Sequence, residues 1–259
     1  METVPRRLTF GAHAAEYERT RPAWPEEAAR WLVPGQARLV VELGAGTGKL
    51  TRAVAALGVR VVAVEPDPRM LAVLRGLGLE GAEGSAEEIP FEDEVADAVV
   101  AGSSLHWFEL TTALREIHRV LKPGGRFGFG WNHRDDRHPT IARMGQAIYA
   151  AQGRPEVPRW RMRDWPHEVT QKGLFRDVEH ALFPHTHELP RPALEHLLIA
   201  YSGVAALPED DRRLVFEQVG RSSTAIRRCT TARSCACPTS STRIAPSAPR
   251  AGRVASRWP

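Results

Sequence analysis

Residues 40–51 read VVELGAGTGKLT. A short apolar run with β-branched Val40 and Val41 stops at Gly44, Gly46 and Gly48, and a helical pattern starts at Lys49. A strand that turns on glycines into a helix needs that helix to carry the chain back across a sheet, so the next strand lies parallel to the first. The pattern then repeats. Residues 60–65 (RVVAVE) read as a second strand, and Pro66–Gly78 contains a second crossover helix. Residues 79–85 hold a short third strand, and 96–102 (ADAVVAG) a fourth. Leu110–Leu121 places Leu110, Leu114, Ile117 and Leu121 at helical spacing, and KPGG ends it. Gly125–Trp131 reads as a fifth strand. The fold class is therefore α/β, a mostly parallel sheet with helices on both faces. Residues 22–33 and 49–57 are further helices.

Beyond the fifth strand the pattern changes. Residues 133–173 are rich in Arg, Trp and Pro and begin with a helix over Thr140–Ala151, which suggests a helical cap or lid. Val178–Leu189 alternates as an edge strand interrupted by Pro184, and 191–202 and 208–219 read as helices. Residues 221–259 carry eight Arg, twelve Ser or Thr from Ser222 onward, and no Asp, Glu or Lys. With so little apolar periodicity the segment reads as a basic, poorly ordered tail, and the last edge strand of the sheet is expected to be missing or degraded. A shifted reading frame near residue 221 is the competing origin of this tail, and resequencing the gene tests it. The domain boundary falls at residue 220.

The net charge of +4 belongs to that tail; without its eight arginines the first 220 residues stand at −4. The body thus gives no compositional argument for nucleic acid. No apolar run reaches the length of a membrane span and no signal-like segment opens the chain, so a cytoplasmic protein is expected. Cys229, Cys235 and Cys237 all lie in the tail, which leaves the body no thiolate site. His185 and His187 share one face of a strand but lack acidic or thiol companions beyond Glu188, so no metal is expected.

What the glycine turn holds follows from its neighbours. A phosphate-binding loop of the G-x-x-x-x-G-K-[ST] kind needs Gly at 43 and Ser or Thr at 50, where this chain has Leu43 and Leu50. Lys49 then reads as a solvated residue of the first helical turn. The dinucleotide spacing G-x-G-x-x-G is missed by one residue. Glu42, two residues before Gly44, would face a pyrophosphate with a carboxylate. A ligand with an ammonium and a delocalised positive charge suits that turn better. Glu65, at the end of the second strand, can accept hydrogen bonds from both hydroxyls of a ribose.

With these residues in place the chain resembles class I S-adenosylmethionine-dependent methyltransferases, in particular the small-molecule methyltransferase type 11 group. VVELGAGTGKLT, VVAVEPDPRML, GSAEEIPFEDEVADAVVAGSSLHWF and LKPGGRFGFGWN occur in the family order. YERTRPAWP is similar to a Tyr-x-x-x-Arg-Pro-x-Tyr-Pro signature, with Trp24 in place of Tyr. The resemblance implies a Rossmann-like fold, S-adenosyl-L-methionine as cofactor and methyl transfer to a small-molecule acceptor. It implies that Gly44, Ala45, Gly46 and Gly48 line the methionine part of the cofactor, with Glu42 orienting the loop. Glu65 and Pro66 would sit at the ribose, and Met70, Ser85 and Ala86 at the adenine. Ser103 would border the same crevice. Ser85 stands where the family often has an acid. Tyr17 and Arg21 would close over the cofactor. His106, Trp107 and Trp131 would contact the substrate, with His106 as a candidate general base. Two other classes stay open: a catalytically silent S-adenosylmethionine-binding protein and a nicotinamide-dependent oxidoreductase.

Overall fold

In the inner strands β1 (Leu39–Leu43), β2 (Arg60–Glu65) and β4 (Ala96–Gly102) almost every residue is buried, because helices cover both faces of the sheet. Alternate residues of β4 face opposite cores. Ala98 and Val100 join Trp24, Ala28, Leu32, Val40, Leu50, Val54 and Val61 on one side. Val99 and Ala101 join Leu43, Leu114, Ile117, Phe127 and Phe129 on the other. The computed structural model describes residues 10–137, 139–151, 161, 163–188, 193–199, 204, 207–224 and 235–246.

Helices α1 (Ala14–Thr20) and α2 (Glu26–Leu32) precede β1. α3 (Lys49–Ala55) and α4 (Pro68–Gly76) connect β1 to β2 and β2 to β3 (Gly81–Glu83). α4 starts cleanly because Pro68 takes its first turn and the Asp67 carboxylate caps it, accepting from Arg69 N–H at 3.0 Å. α5 (Leu110–Val120) is capped by Glu109, whose carboxylate accepts from the backbone N–H groups of Thr111 and Thr112. β5 (Leu121–Asn132) pairs parallel to β4. The sheet order is β3-β2-β1-β4-β5-β7-β6, with parallel pairing from β3 to β5. This is the α/β fold read from the alternation of strands and helices.

The far edge departs from expectation. β7 (Cys235–Pro246) lies between β5 and β6 (Phe175–His187), antiparallel to both, running from Phe127↔Ile244 to Asn132↔Thr239 on one side and from Phe175↔Pro246 to His187↔Cys235 on the other. The last strand is therefore present, and the segment after residue 220 is not wholly irregular. A ladder is made by backbone N–H and C=O groups, which a Ser- and Thr-rich run supplies as well as an apolar one. Apolar periodicity reports burial of a face, and its absence misled the sequence reading. Both prolines of β7 lie outside its ladder with β5: Pro238 beyond Thr239 and Pro246 beyond Ile244. Pro184 is on β6, the edge strand, as anticipated.

The expected cap contributes α6 (Pro139–Ala151) and α7 (Trp165–Thr170). α6 does not stand alone. Its Ile148 packs with Leu198 of α8 (Ala193–Ile199), Val204 and Val215 of α9 (Glu209–Thr224), forming a small second apolar cluster. The helix α9 runs past the expected boundary at 220. Trp160, expected with Trp131 and Trp165 to flank the cap, and Cys229 lie outside the described residues.

Thr242 pairs with Phe129 on one side and His180 on the other. Thr242→Pro removes a ladder donor from the middle of this edge and should lower the unfolding free energy by about 2 kcal/mol. Thermal denaturation of the two proteins measures it, and an unchanged midpoint would mean that the β5–β7–β6 ladder does not hold this edge together.

Candidate active site

The turn after β1 hangs from the end of β2. Gly44 and Ala45 donate their backbone N–H groups to Val64 O at 2.9 and 3.2 Å, and Gly46 N–H donates to Glu65 Oε2 at 2.7 Å. This path requires positive φ at Gly44 (62°), Gly46 (59°) and Gly48 (86°), the left-handed region that glycine enters without steric cost. The three glycines do different work. A Cβ on Gly44 would meet Ser104 Cβ at 2.7 Å, and one on Gly48 would meet Leu79 Cδ1 at 2.6 Å. Over Gly46 the nearest atom is Met70 Cε at 3.5 Å, an ordinary van der Waals contact, so no neighbour crowds this position as one does at Gly44 and Gly48.

Three consecutive N–H groups are thus committed to β2, and Gly48 N–H goes to Ala45 O at 3.0 Å. A phosphate cradle is made of such groups left pointing at the ligand, and this turn does not leave them so. Nor does Lys49 supply a phosphate ligand. It is mostly buried, donates to Glu18 O and lies 3.4 Å from the Glu18 carboxylate. This corrects its reading as a solvated residue. Glu18 also accepts from Thr47 Oγ1 at 2.6 Å and pairs with Arg52 at 2.6 Å. One carboxylate of α1 therefore clamps that helix on the start of α3, beside the glycine turn. His187 adds a second tie from β6, donating through Nε2 to Thr20 O at 2.8 Å when that nitrogen carries the proton. His187 serves here as a strap to α1. Among the described residues no group of three or more His, Cys, Asp or Glu could hold a metal.

Glu42 lies beneath the turn, 1% exposed, and accepts from Thr51 Oγ1 at 2.5 Å. Burial, with the nearby Glu65 carboxylate adding to it, pushes its carboxyl up to about 8. Near neutral pH Glu42 is mostly uncharged, so the sequence argument that its charge repels a diphosphate fails. The turn disfavours phosphate through its committed N–H groups instead. Glu65 is also buried; burial raises its carboxyl, against the N–H groups of Asp67 and Gly46 that donate to it.

Met70 is buried beside Gly46. Ala86 is buried, and Ser85 Oγ accepts from Glu87 N–H at 3.2 Å. Their loop is fastened to α5: Ile89 N–H donates to Glu116, and Arg119 donates to Ile89 O, Phe91 O and the carboxylates of Glu116 and Asp93. Pro66 lies between Glu65 and Asp67 at the head of α4. Ser103 adopts φ 60°, a rare conformation for a non-glycine residue, and donates N–H to Gly130 O at 2.8 Å. Tyr17 and Arg21 form a stacked pair, with the guanidinium 5.5 Å from the ring centroid.

Past Ser103 a short turn, Leu105–Trp107, presents His106. Trp131 Nε1–H donates to His106 Nδ1 at 3.1 Å. His106 lies between two indoles, its centroid 4.8 Å from Trp107 and 6.4 Å from Trp131. Burial, then the like charges of Arg21, Arg163 and His133, pushes its imidazolium down to about 3. Trp165 stacks 5.3 Å from Trp131, under the Arg163 guanidinium at 4.0 Å. His133, with its imidazolium pushed down to about 4 by burial and by Arg161 and Arg134, flanks the same wall. The sequence reading missed Glu18, Ser104, His133 and Arg163. Ser104, which donates to Leu43 O at 2.7 Å, ties the ends of β4 and β1 together. Only its small size in the SSLHW run hinted at this.

Two outcomes follow. In the folded chain Glu42 keeps its proton up to about pH 8, whereas the unfolded chain releases it near 4.5. The folded state therefore binds more protons between those values, and stability is full below pH 4.5 and falls as pH rises through that window. Glu42→Gln removes the ionisation. Denaturant unfolding should show wild type losing about 2–4 kcal/mol relative to this variant between pH 5 and pH 8; parallel curves would contradict the assignment. Glu18→Ala strips the clamp and should speed hydrogen exchange across α1 by at least about tenfold while leaving β1 and β4 protected. Equal exchange in both proteins would mean that other contacts hold α1.

A family model described as a methyltransferase domain matches residues 41–129. An uncharacterized methyltransferase of Mycobacterium bovis is 40% identical over 214 residues, 82% of this chain and 84% of its own length. Among solved structures, a candidate type II methyltransferase of Anaeromyxobacter dehalogenans superposes with a TM-score of 0.61 at 22% identity, covering 87% of this chain and 97% of that one. Phosphoethanolamine N-methyltransferase 2 of Haemonchus contortus, solved with S-adenosyl-L-methionine, does so with a TM-score of 0.55 at 15% identity, covering 94% of this chain and 60% of that one. The solved structures share the fold, and a relative of 40% identity across four-fifths of both chains carries the lineage: the protein belongs to the class I S-adenosylmethionine-dependent methyltransferases.

Proposed function

We propose that this enzyme binds S-adenosyl-L-methionine in the crevice over Gly46 and methylates a small-molecule acceptor held against His106, Trp107 and Trp131. The observation that carries the cofactor reading is the glycine turn itself. Its N–H groups at 44–46 are spent on β2, and Gly46, beside Met70 and Glu65, is the one of the three glycines over which no atom comes closer than 3.5 Å. That arrangement suits a nucleoside with no phosphate. Glu65 retains acceptor capacity beyond its two backbone N–H donors, enough for ribose hydroxyls. Gly44, Ala45, Gly46 and Gly48 would hold the amino-acid end, with Glu42 bracing the turn from below. Pro66 and Met70 would flank the nucleoside, and the Ser85–Ala86 segment, fastened by Arg119 and Glu116, would meet the adenine. Ser103 would border the opening. Tyr17 and Arg21 sit on the clamped N-terminal segment and would cover the crevice.

When bound, S-adenosyl-L-methionine supplies a methyl group on a positively charged sulfur. The chain's own contribution is to position and to exclude water. The indoles of Trp107, Trp131 and Trp165 give the acceptor an apolar wall, and the Glu18 clamp keeps α1 over the crevice. An aromatic wall of this kind supports a small planar or apolar acceptor. Among the described residues no helix is long and apolar enough to cross a membrane.

Calorimetry with S-adenosylhomocysteine should give saturable binding to the wild-type chain, and NAD should give none. Glu65→Ala should weaken that binding by about 10- to 100-fold through the lost charged acceptor. Labelled methyl groups should then move from the cofactor to a member of a metabolite panel. Binding of NAD in place of S-adenosylhomocysteine would end this reading.

A further inference from the structure

Two arginines from separate parts of the chain meet on one phenol. Arg134 follows β5, and its guanidinium lies against Gly145 of α6, where a Cβ would meet Arg134 Nη2 at 3.1 Å. It also lies 5.4 Å from the centroid of the Tyr149 ring. Gly145 and Tyr149 are four residues apart and share one face of α6. Arg134 Nη2 donates to Tyr149 Oη at 3.1 Å, and Arg161 Nη1, from the segment before α7, donates to the same oxygen at 2.7 Å. Both arginine side chains are largely buried, 10% and 16% exposed. A phenol oxygen is a neutral acceptor, so it fixes both guanidiniums in place and cancels neither charge. The Asp136 carboxylate, nearly half exposed, stands 3.9 Å from Arg134 Nε and 3.6 Å from Arg161 Nη1. Those separations exceed the ~2.7–2.9 Å of a charge-assisted hydrogen bond.

This pair adjoins the aromatic cluster. His133 precedes Arg134 in the chain, with its ring 6.3 Å from Trp131, and Trp131 donates to His106 at 3.1 Å. Arg163 covers the face of Trp165 at 4.0 Å and donates through Nε to Glu168 at 2.7 Å. The two buried imidazoles register the field of these cations. Arg161 and Arg134 act on His133; Arg21, Arg163 and His133 act on His106; each adds to burial in disfavouring a proton there. A proton on either ring is a positive test charge, and a field that repels it attracts a negative group at the same place. Burial opposes ions of either sign, so an anion there must also find hydrogen-bond donors. A guanidinium presents its donors in a planar fork that matches a carboxylate.

We propose that the molecule methylated by this enzyme is an organic acid whose carboxylate is held by Arg134 and Arg161, with its apolar part along Trp131 and Trp165. The inference rests on the reading of this region as the acceptor site, and it adds a negative charge to the small planar or apolar acceptor that the indoles favour. Tyr149 is then a positioning residue that sets both guanidiniums. Selection follows by sign. An acid gains from the cations, its amide of the same shape gains only neutral hydrogen bonds, and an ammonium is repelled.

The test uses the full chain saturated with S-adenosylhomocysteine, and benzoate, benzamide and benzylamine as probes of similar shape and three charges. Quenching of indole fluorescence follows their binding. Benzoate should saturate at least about tenfold more tightly than benzamide, and benzylamine should bind more weakly than either. Arg161→Gln should cut the preference for benzoate over benzamide by at least about fivefold, whereas Arg161→Lys keeps the charge and should retain most of that preference. Calorimetry with S-adenosylhomocysteine confirms that each variant is folded, and the ranking of the three probes by the wild-type chain decides even where a variant is not. In turnover across a panel of organic acids and their primary amides, the acids should show a kcat/KM at least about tenfold above the amides. Failure of benzoate to saturate, equal affinity for benzoate and benzamide, an unchanged preference in Arg161→Gln, equal loss in Arg161→Gln and Arg161→Lys, or a best acceptor that is neutral or cationic would each overturn the proposal. Calorimetry also separates the two readings. No heat from S-adenosylhomocysteine with wild type refutes the methyltransferase site, whatever the probes do; heat without a preference for benzoate refutes the acid-binding role alone.

Discussion

The turn that follows β1 is suspended from the carboxyl end of β2 by its own backbone, and the candidate site takes its shape from that suspension. Gly44, Ala45 and Gly46 give their N–H groups to Val64 O and Glu65. Each consequence follows physically. The path forces left-handed backbone at three positions, which glycine alone adopts at no cost. The donated N–H groups leave nothing aimed at a phosphate. Gly46 is left with Met70 Cε at 3.5 Å as its nearest neighbour. Glu42 supports the turn from below as a largely neutral acid, through Thr51.

A second layer of organisation comes from charges that the turn does not use. Lys49 follows the glycines in sequence, which invites a phosphate-binding reading. In the fold it faces Glu18 of α1, as do Thr47 and Arg52. A cluster of opposite charges at the edge of the crevice thus docks the N-terminal helix, and with it Tyr17 and Arg21. The aromatic cluster at the ends of β4 and β5 is built differently. Its members, His106, Trp131, His133 and Trp165, come from the ends of β4 and β5 and from α7, and aromatic stacking with one indole hydrogen bond fixes them.

Much of this was legible in the residues. The strands β1, β2, β4 and β5 and the crossover helices appear as apolar runs and helical spacings with glycine stops, because a sheet buried on both faces demands continuous aliphatic segments. The glycine turn after β1, Glu65 at the end of β2 and the His106-Trp107 turn after β4 were also placed from the residues, since each follows the end of an apolar run. Three things were not. β7 carries no apolar periodicity, and a ladder formed by backbone groups does not require any. The partner of Lys49 is Glu18, 31 residues earlier, and no local pattern links them. The protonation of Glu42 depends on how deeply it is buried, and spacing says nothing of depth.

The amino-acid sequence by itself determined the alternation of strands and helices, the glycine turn, the strand-end acid and the family to which these belong, since each is a local pattern of residue type and spacing. Only the tertiary structure decided what those groups do: which N–H groups are spent, which carboxyl keeps its proton and which nitrogen of His106 accepts from Trp131. Those outcomes depend on distance and on exclusion of water between residues remote in the chain, and both arise only when the sheet has closed around them.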